Sequence, residues 1–212
     1  MKKEELPQAI PIFPLSNFII FPKTTIPLNI FEPRYIQMVD ESMKGNRIIG
    51  IVQPKRGELK KPNLYEVGCA GKITSFNETE DGRYLIILNG ICRFKITKEL
   101  KNNKLYRECY VKFDDYYDDL LNNTQEIKFT NLNLILKNFK NLFKKKGYII
   151  NLKEVEKQNL DQKINTLSMA SPFSLEEKQI LLESKDLPLR KEKLEKILEI
   201  YASDDFSNTT VQ

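Results

Sequence analysis

The chain has 212 residues, 41% of them hydrophobic and 30% charged, with a formal charge of +5. That is enough apolar material to core one large or two small domains, and no apolar run approaches the roughly 20 residues that cross a bilayer. Histidine is absent, which excludes Ser-His and Cys-His nucleophile pairs and every His-containing zinc site. The charge excess sits in residues 1–110, where 18 Lys and Arg face 12 Asp and Glu, a balance of +6. Lys, Asn and Ile are frequent throughout, so the excess reads as solvated surface rather than as a focused patch. The start, Met1-Lys2-Lys3-Glu4-Glu5, mixes charges ahead of no apolar run, and a cytoplasmic protein is the expectation. Cys69, Cys92 and Cys109 are odd in number and far apart, with no CxxC. They read as small buried hydrophobes in strands rather than as disulfides or zinc ligands.

Up to about residue 113 the chain is punctuated like β structure, with short Ile, Val, Phe and Tyr runs broken by Pro and Gly. Strands are predicted over 10–14, 17–21, 25–30, 47–53, 67–77, 83–90, 92–98 and 105–112. Pro11, Pro14 and Pro22 then belong at strand ends or edges. One helix interrupts, from Pro33 to Lys44. Pro33 suits its first turn, Glu32 its positive end and Gly45 its C′ position. Tyr35, Met38, Val39 and Ser42 share one face of it. Residues 54–62, carrying Lys55, Arg56, Gly57, Lys60 and Lys61, read as an exposed basic loop. Thr79-Glu80-Asp81-Gly82-Arg83 is a tight hairpin, with Phe76 and Tyr84 facing across it. Eight short strands and one crossover helix suggest a closed or nearly closed barrel-like sheet.

After the acidic, aromatic run Asp114-Asp115-Tyr116-Tyr117-Asp118-Asp119 the period becomes helical. Leu132, Ile135, Leu136, Phe139, Leu142 and Phe143 form one stripe, stopped by Gly147. Asn151 opens a second helix with a pattern like a capping box. A short helix over 161–170 ends at Ser171-Pro172, and Ser174-Leu175-Glu176-Glu177 is a capping box. The last helix runs from Leu189 to Ala202 with Leu194, Ile197, Leu198 and Tyr201 inward. The expected class is α+β, with a β domain over 1–115, an all-α bundle over 116–204 and a frayed tail over 205–212.

Catalytic motifs are missing from this sequence. There is no G-x-x-x-x-G-K-[ST] phosphate loop and no G-x-S-x-G elbow. Ser42 and Lys44 are the nearest approach to a Ser-Lys dyad, and they fall on a solvated helix end. The carboxylates Asp114 and Asp115 sit in a charge run with no apolar pocket to raise a pKa. No catalytic, cofactor-binding or metal-binding residue is assigned.

One ordered series of short motifs is more specific. It runs Phe13-Pro14-Leu15, Phe21-Pro22, Pro27-Leu28-Asn29-Ile30-Phe31-Glu32-Pro33-Arg34-Tyr35, Gly50-Ile51-Val52, Tyr65-Glu66-Val67-Gly68, Gly82-Arg83-Tyr84 and Gly90-Ile91-Cys92-Arg93-Phe94. The set closely resembles the amino-terminal substrate-recognition domain of the ATP-dependent Lon proteases. Ser171-Pro172-Phe173-Ser174-Leu175-Glu176-Glu177 extends the likeness to short stand-alone relatives of that domain. The resemblance implies a PUA-like (pseudouridine-synthase-and-archaeosine-transglycosylase-like) β fold followed by helices. It implies a non-enzymatic module that captures unfolded or peptide segments, an adaptor or regulator in protein quality control, with Lon protease itself as a candidate partner. Unfolding and peptide hydrolysis are not implied, because the ATPase and protease motifs are missing.

In this setting Phe31 and Tyr35 read as core anchors beneath the barrel. Glu32 and Arg34 cap the helix or join a buried ion pair; alternatively Arg34 borders a peptide groove. The expected ligand contacts are Arg34, Lys55, Arg56, Tyr116 and Tyr117. The alternative is an RNA-binding module, as in other PUA-like proteins, using Lys55, Arg56, Lys60, Lys61, Arg93 and Lys95. A third reading lays Leu132–Lys146 on a membrane surface, with Lys137, Lys140 and Lys144 beside its apolar stripe; core packing explains that stripe more simply.

Overall fold

The computed structural model describes residues 3–16, 18–55, 62–121, 132–148 and 151–207. Two compact units divide the chain, Met1–Leu121 and Asn122–Gln212.

The first unit holds six strands: β1 (Ala9–Pro14), β2 (Thr25–Ile30), β3 (Ile48–Val52), β4 (Val67–Glu78), β5 (Tyr84–Glu99) and β6 (Arg107–Lys112). The sheet order is β2-β5-β4-β3-β1-β6, and β6 pairs back onto β5. Five strands therefore close a ring, and β2 lies outside it on β5. Only β1 and β3 run parallel; β2 and the helix α1 (Pro33–Met43) intervene between them in sequence.

β5 makes closure possible because it is long enough for three partners. One of its edges pairs with β4. The other carries β2 along residues 84–89 and then β6 along 95–99. The sequence pattern suggested two strands here, broken near Gly90. The strand instead continues through a bulge at Ile91, where Ala70 pairs with Cys92 and Gly71 with Gly90. Gly90 is required for another reason: a Cβ there would lie 2.1 Å from the Phe21 carbonyl oxygen. Inside the ring Phe94 is fully buried. A Cβ on either Gly50 or Gly68 would sit 2.8 Å from its Cζ. The ring fills the barrel between two positions that only glycine leaves open.

The strand expected over 17–21 does not form. Ile19, Ile20 and Phe21 are buried as expected of core residues, but their chain turns at Pro22-Lys23, with Lys23 at φ 61°. The Thr24 hydroxyl donates to the Phe21 carbonyl (2.6 Å) and accepts from the Phe21 amide (3.2 Å). These local bonds replace a sheet ladder. Phe31, expected in the core, is 64% exposed. Ile26 and Ile30 point inward, so strand alternation sends Phe31 outward. Tyr35, one helical turn on, takes the core position against Phe13, with ring centroids 4.2 Å apart. Gly45 is not the left-handed residue after α1; Arg47 is, at φ 62°. The Thr79–Arg83 hairpin forms with Gly82 at φ +76°, and Phe76 meets Tyr84 edge-on at 4.8 Å. All three cysteines are buried and unbridged.

The acidic, aromatic run folds as a 3-10 segment, Asp114–Leu120, against β5 in this same unit. A buried clasp holds it. Arg93 donates from Nε to Asp119 Oδ2 (2.8 Å) and from an Nη to Oδ1 (2.9 Å), and its backbone amide donates to Oδ2 (3.0 Å). The guanidinium carbon stacks 4.2 Å over the Tyr116 ring. Arg93 is 2% exposed.

The second unit has α2 (Leu132–Lys145), α3 (Leu152–Glu156), α4 (Leu160–Ala170), α5 (Leu175–Leu182) and α6 (Leu187–Ser207). Ile135, Phe139, Leu142 and Phe143 of α2 are buried. Phe173 packs between Phe139 and Tyr201 at 6.2 and 5.4 Å. The Ser174 capping box forms with both of its bonds, whereas Asn151 makes no side-chain cap. The last helix begins earlier than its apolar pattern suggests, because Asp186 Oδ1 accepts from the Leu189 amide at 2.9 Å. Pro188 fits that first turn, which needs no donor from it.

Asp119→Ala leaves Arg93 buried without its carboxylate. A loss of about 3–5 kcal/mol from the first unit is expected, read from hydrogen exchange of the β5 amides across a urea series. The doubly apolar variant Arg93→Met/Asp119→Leu is expected to recover most of that loss.

Candidate functional site

The cavity nearest to the expected site residues opens within the first unit and has a volume of about 780 Å³. The start of α1 supplies Arg34 and Tyr35. The end of β1 supplies Pro14 and Ser16, and Pro54 and Pro62 add to the rim. The opposite wall is the β5–β6 connection, with Leu100, Leu105, Tyr106 and Arg107 among its residues. Three prolines, two leucines and two tyrosines form the apolar part of the lining, and Ser16, Arg34, Glu99, Lys101, Asn102, Lys104 and Arg107 make the rest polar or charged. Leu105 is 64% exposed at the rim.

Two of the three cations of this wall, Arg107 and Lys104, are engaged, and Lys101 is exposed. Arg107 holds Glu99 at 2.7 Å and donates to the Pro62 carbonyl at 2.8 Å. Lys104 reaches Glu108 at 3.1 Å and Glu41 of α1 at 3.3 Å. The Tyr106 hydroxyl donates to Glu41 Oε2 at 2.5 Å, and Gln37 Oε1 accepts from the Leu105 amide at 3.0 Å. These bonds tie the β5–β6 connection to α1 and fix the width of the cavity.

The electrostatics follow from that network. Burial, then the hydrogen bond to Glu41, pushes the Tyr106 phenol up to about 12. Burial alone would lower the Lys104 pKa, but its bonds to Tyr106, Glu108 and Glu41 outweigh this and raise it. The Tyr106 hydrogen bond holds Glu41 below the usual carboxylate range.

The expected ligand residues do not converge. Arg34 and Tyr35 line this cavity. Arg34 is neither a helix cap nor part of a buried pair: it meets Glu32 at 2.7 Å with both side chains about half exposed, and its guanidinium stacks on Tyr35 at 4.6 Å. Lys55 is exposed over the Tyr65 ring at 5.7 Å and does not line the cavity. Arg56, Lys60 and Lys61 lie outside the described residues. Tyr116 is buried under Arg93 and is unavailable to a ligand. Its neighbour Tyr117 lines a second cavity of about 780 Å³, with Pro7, Tyr110 and Phe113. The supposed RNA row also breaks up, since Arg93 is buried and Lys95 pairs with Glu66 at 3.4 Å. Ser42 is buried and bonds the Met38 carbonyl at 2.7 Å, so it forms no dyad with Lys44. Sequence reasoning missed the wall over 99–107. Its cluster of charges of both signs, Glu99, Lys101, Lys104, Arg107 and Glu108, is the signal that was present.

Among the described residues no cluster of His, Cys, Asp and Glu could hold a metal ion, and no helix is long and apolar enough to cross a membrane.

The first unit is thus a closed five-strand sheet with one crossover helix and a cavity beside it. Over residues 9–200 the chain matches the family described as the ATP-dependent protease La (LON) substrate-binding domain, and it belongs to that family. It is 26% identical to a Lon protease of Desulfosudis oleivorans over 198 residues, covering 90% of this chain and 24% of that protease. It is 28% identical to a Lon protease of Flavobacterium johnsoniae over 194 residues, covering 86% of this chain and 23% of the other. The chain thus spans about a quarter of the length of these relatives. Among solved structures it is similar to a Lon N-terminal domain protein from Xanthomonas campestris. There the TM-score is 0.62 and the identity 19%, over 90% of this chain and 97% of that one. The N-terminal domain of a Mycobacterium avium complex Lon protease gives a TM-score of 0.58 at 16% identity, over 92% and 98%.

The sign of the Tyr106 shift sets a pH dependence. A phenol whose folded pKa lies above its usual 10.0 stabilises the fold fully below pH 10, and that contribution is lost as pH rises towards about 12. Tyrosinate absorbance is expected to show one late step near pH 12, absent in Tyr106→Phe.

Proposed function

We propose that the barrel unit recognises unfolded or peptide segments of proteins, seating an apolar side chain between Arg34-Tyr35 and the β5–β6 connection. The observation that carries this reading is a cavity of about 780 Å³ whose apolar side chains, three of them prolines, alternate with charged ones, in a chain of the Lon substrate-binding family. Such a cleft suits one or two apolar side chains, and its internally paired cations leave it near neutrality. The module works without chemistry of its own, as an adaptor or regulator in cytoplasmic protein quality control, with Lon protease as its candidate partner. The RNA reading of the barrel is the weaker one, because Arg93 and Lys95 are engaged within the unit.

Calorimetry with a reduced, carboxymethylated globular protein tests this. Binding to the wild-type chain is expected, and Leu105→Asp is expected to weaken it by about tenfold or more, as a polar intrusion at an apolar contact does. A folded wild-type chain that binds no unfolded protein overturns the reading.

A further inference from the structure

Helix α2 is chemically unlike the rest of the second unit. Residues 132–148 contain Lys137, Lys140, Lys144, Lys145 and Lys146 and no Asp or Glu. Elsewhere in the unit lysines and carboxylates are interspersed, and three lysines pair with a carboxylate one turn away: Lys157 with Glu154, Lys191 with Glu195 and Lys196 with Glu192. Lys137, Lys140 and Lys144 are exposed, and no ion pair to them forms among the described residues.

Their geometry is regular. At 100° per residue these three fall within about 60° of helix surface, along roughly 10 Å of axis. Tyr148 follows the Gly147 turn at the end of the helix, 58% exposed, with its ring edge-on to Phe143 at 6.2 Å. Lys144 and Lys145 suit the negative end of a helix. Lys137 and Lys140 stand mid-helix, where no dipole end calls for them.

We infer that this face of α2 binds the sugar-phosphate backbone of a single-stranded nucleic acid, with Tyr148 as a stacking platform for a base. Three mobile ammonium groups along one line match successive phosphates, and an aromatic ring at the end of a cationic row is the arrangement that holds unpaired bases. A membrane surface fits worse. The apolar stripe that would have to enter the lipid, Ile135, Phe139, Leu142 and Phe143, is buried in the bundle. Only Leu134 is a large apolar side chain exposed on the described outer face. The site is separate from the barrel cavity, so its failure leaves the polypeptide reading untouched.

The test is fluorescence anisotropy on the full chain with a labelled 12-nucleotide oligouridylate, the matching oligodeoxythymidylate, polyglutamate and anionic phosphatidylserine vesicles. Saturable binding to at least one oligonucleotide is expected at low salt, with log K falling against log salt at a slope of about −2 for three phosphates on a single strand. The two oligonucleotides decide between RNA and DNA. Lys137→Gln/Lys140→Gln/Lys144→Gln is expected to abolish binding, and the triple Lys→Arg variant to retain it. Tyr148→Leu is expected to lower affinity at least about fivefold with the slope unchanged. Circular dichroism of each variant checks the fold. No oligonucleotide binding by the wild-type chain overturns the inference. So does equal or tighter binding of polyglutamate or vesicles, or a folded triple Gln variant that binds as before.

Discussion

The barrel is organised by one packing constraint, the Phe94 ring held between Gly50 and Gly68. A side chain of that size fills the inside of a five-strand ring only if the strands facing it carry no Cβ at the points of contact. Gly50 lies on β3 and Gly68 on β4, so the same ring sets the spacing of both strands from β5. β5 then closes the sheet through β6, and its next residue inward in sequence, Arg93, holds the 3-10 segment from the other face. Closure, core filling and the clasp on Asp114–Leu120 all originate within a few residues of one strand. Successive side chains on a strand face opposite ways, which lets neighbours serve interior and exterior at once.

Much of this was legible in the sequence, though in a different sense from the structure's own. The alternation of β2, the start of α1 at Pro33, the Gly82 hairpin and the Ser174 capping box depend on neighbours within four residues, and each appears where its pattern says. Gly50, Gly68 and Phe94 were visible as pieces of a family series, but nothing local says that they meet. The misreadings share a cause. Phe31 and Arg93 have an ordinary preference, aromatic inward and cation outward, that strand phase or a distant partner reverses, and Tyr116 is drawn inward with Arg93. Arg93 is buried because Asp119 lies 26 positions on. The cavity wall over 99–107 is equally long-range, since it becomes a wall only when Glu41 and Gln37 of α1 reach it.

The two units handle positive charge in opposite ways. Around the barrel cavity the cations are spent internally, Arg34 on Glu32, Arg107 on Glu99, Lys104 on Glu41 and Glu108. They act as struts between the walls of the cavity, and Lys101 remains exposed among them. On α2, Lys137, Lys140 and Lys144 form no ion pair among the described residues. A formal charge of +5 therefore describes neither place, and the distribution of partners matters more than the total.

Pro27 has a consequence beyond its place in a motif. Gly90 donates to the Thr24 carbonyl, so the even residues of β2 bond to β5 while Thr25, Pro27 and Asn29 turn their backbones to the outer edge. That edge has no strand partner among the described residues. An arriving chain would find amide donors at Thr25 and Asn29 and none at the midpoint between them. An open strand edge invites other chains to extend the sheet, as amyloid grows. The proline makes this edge a poor seed.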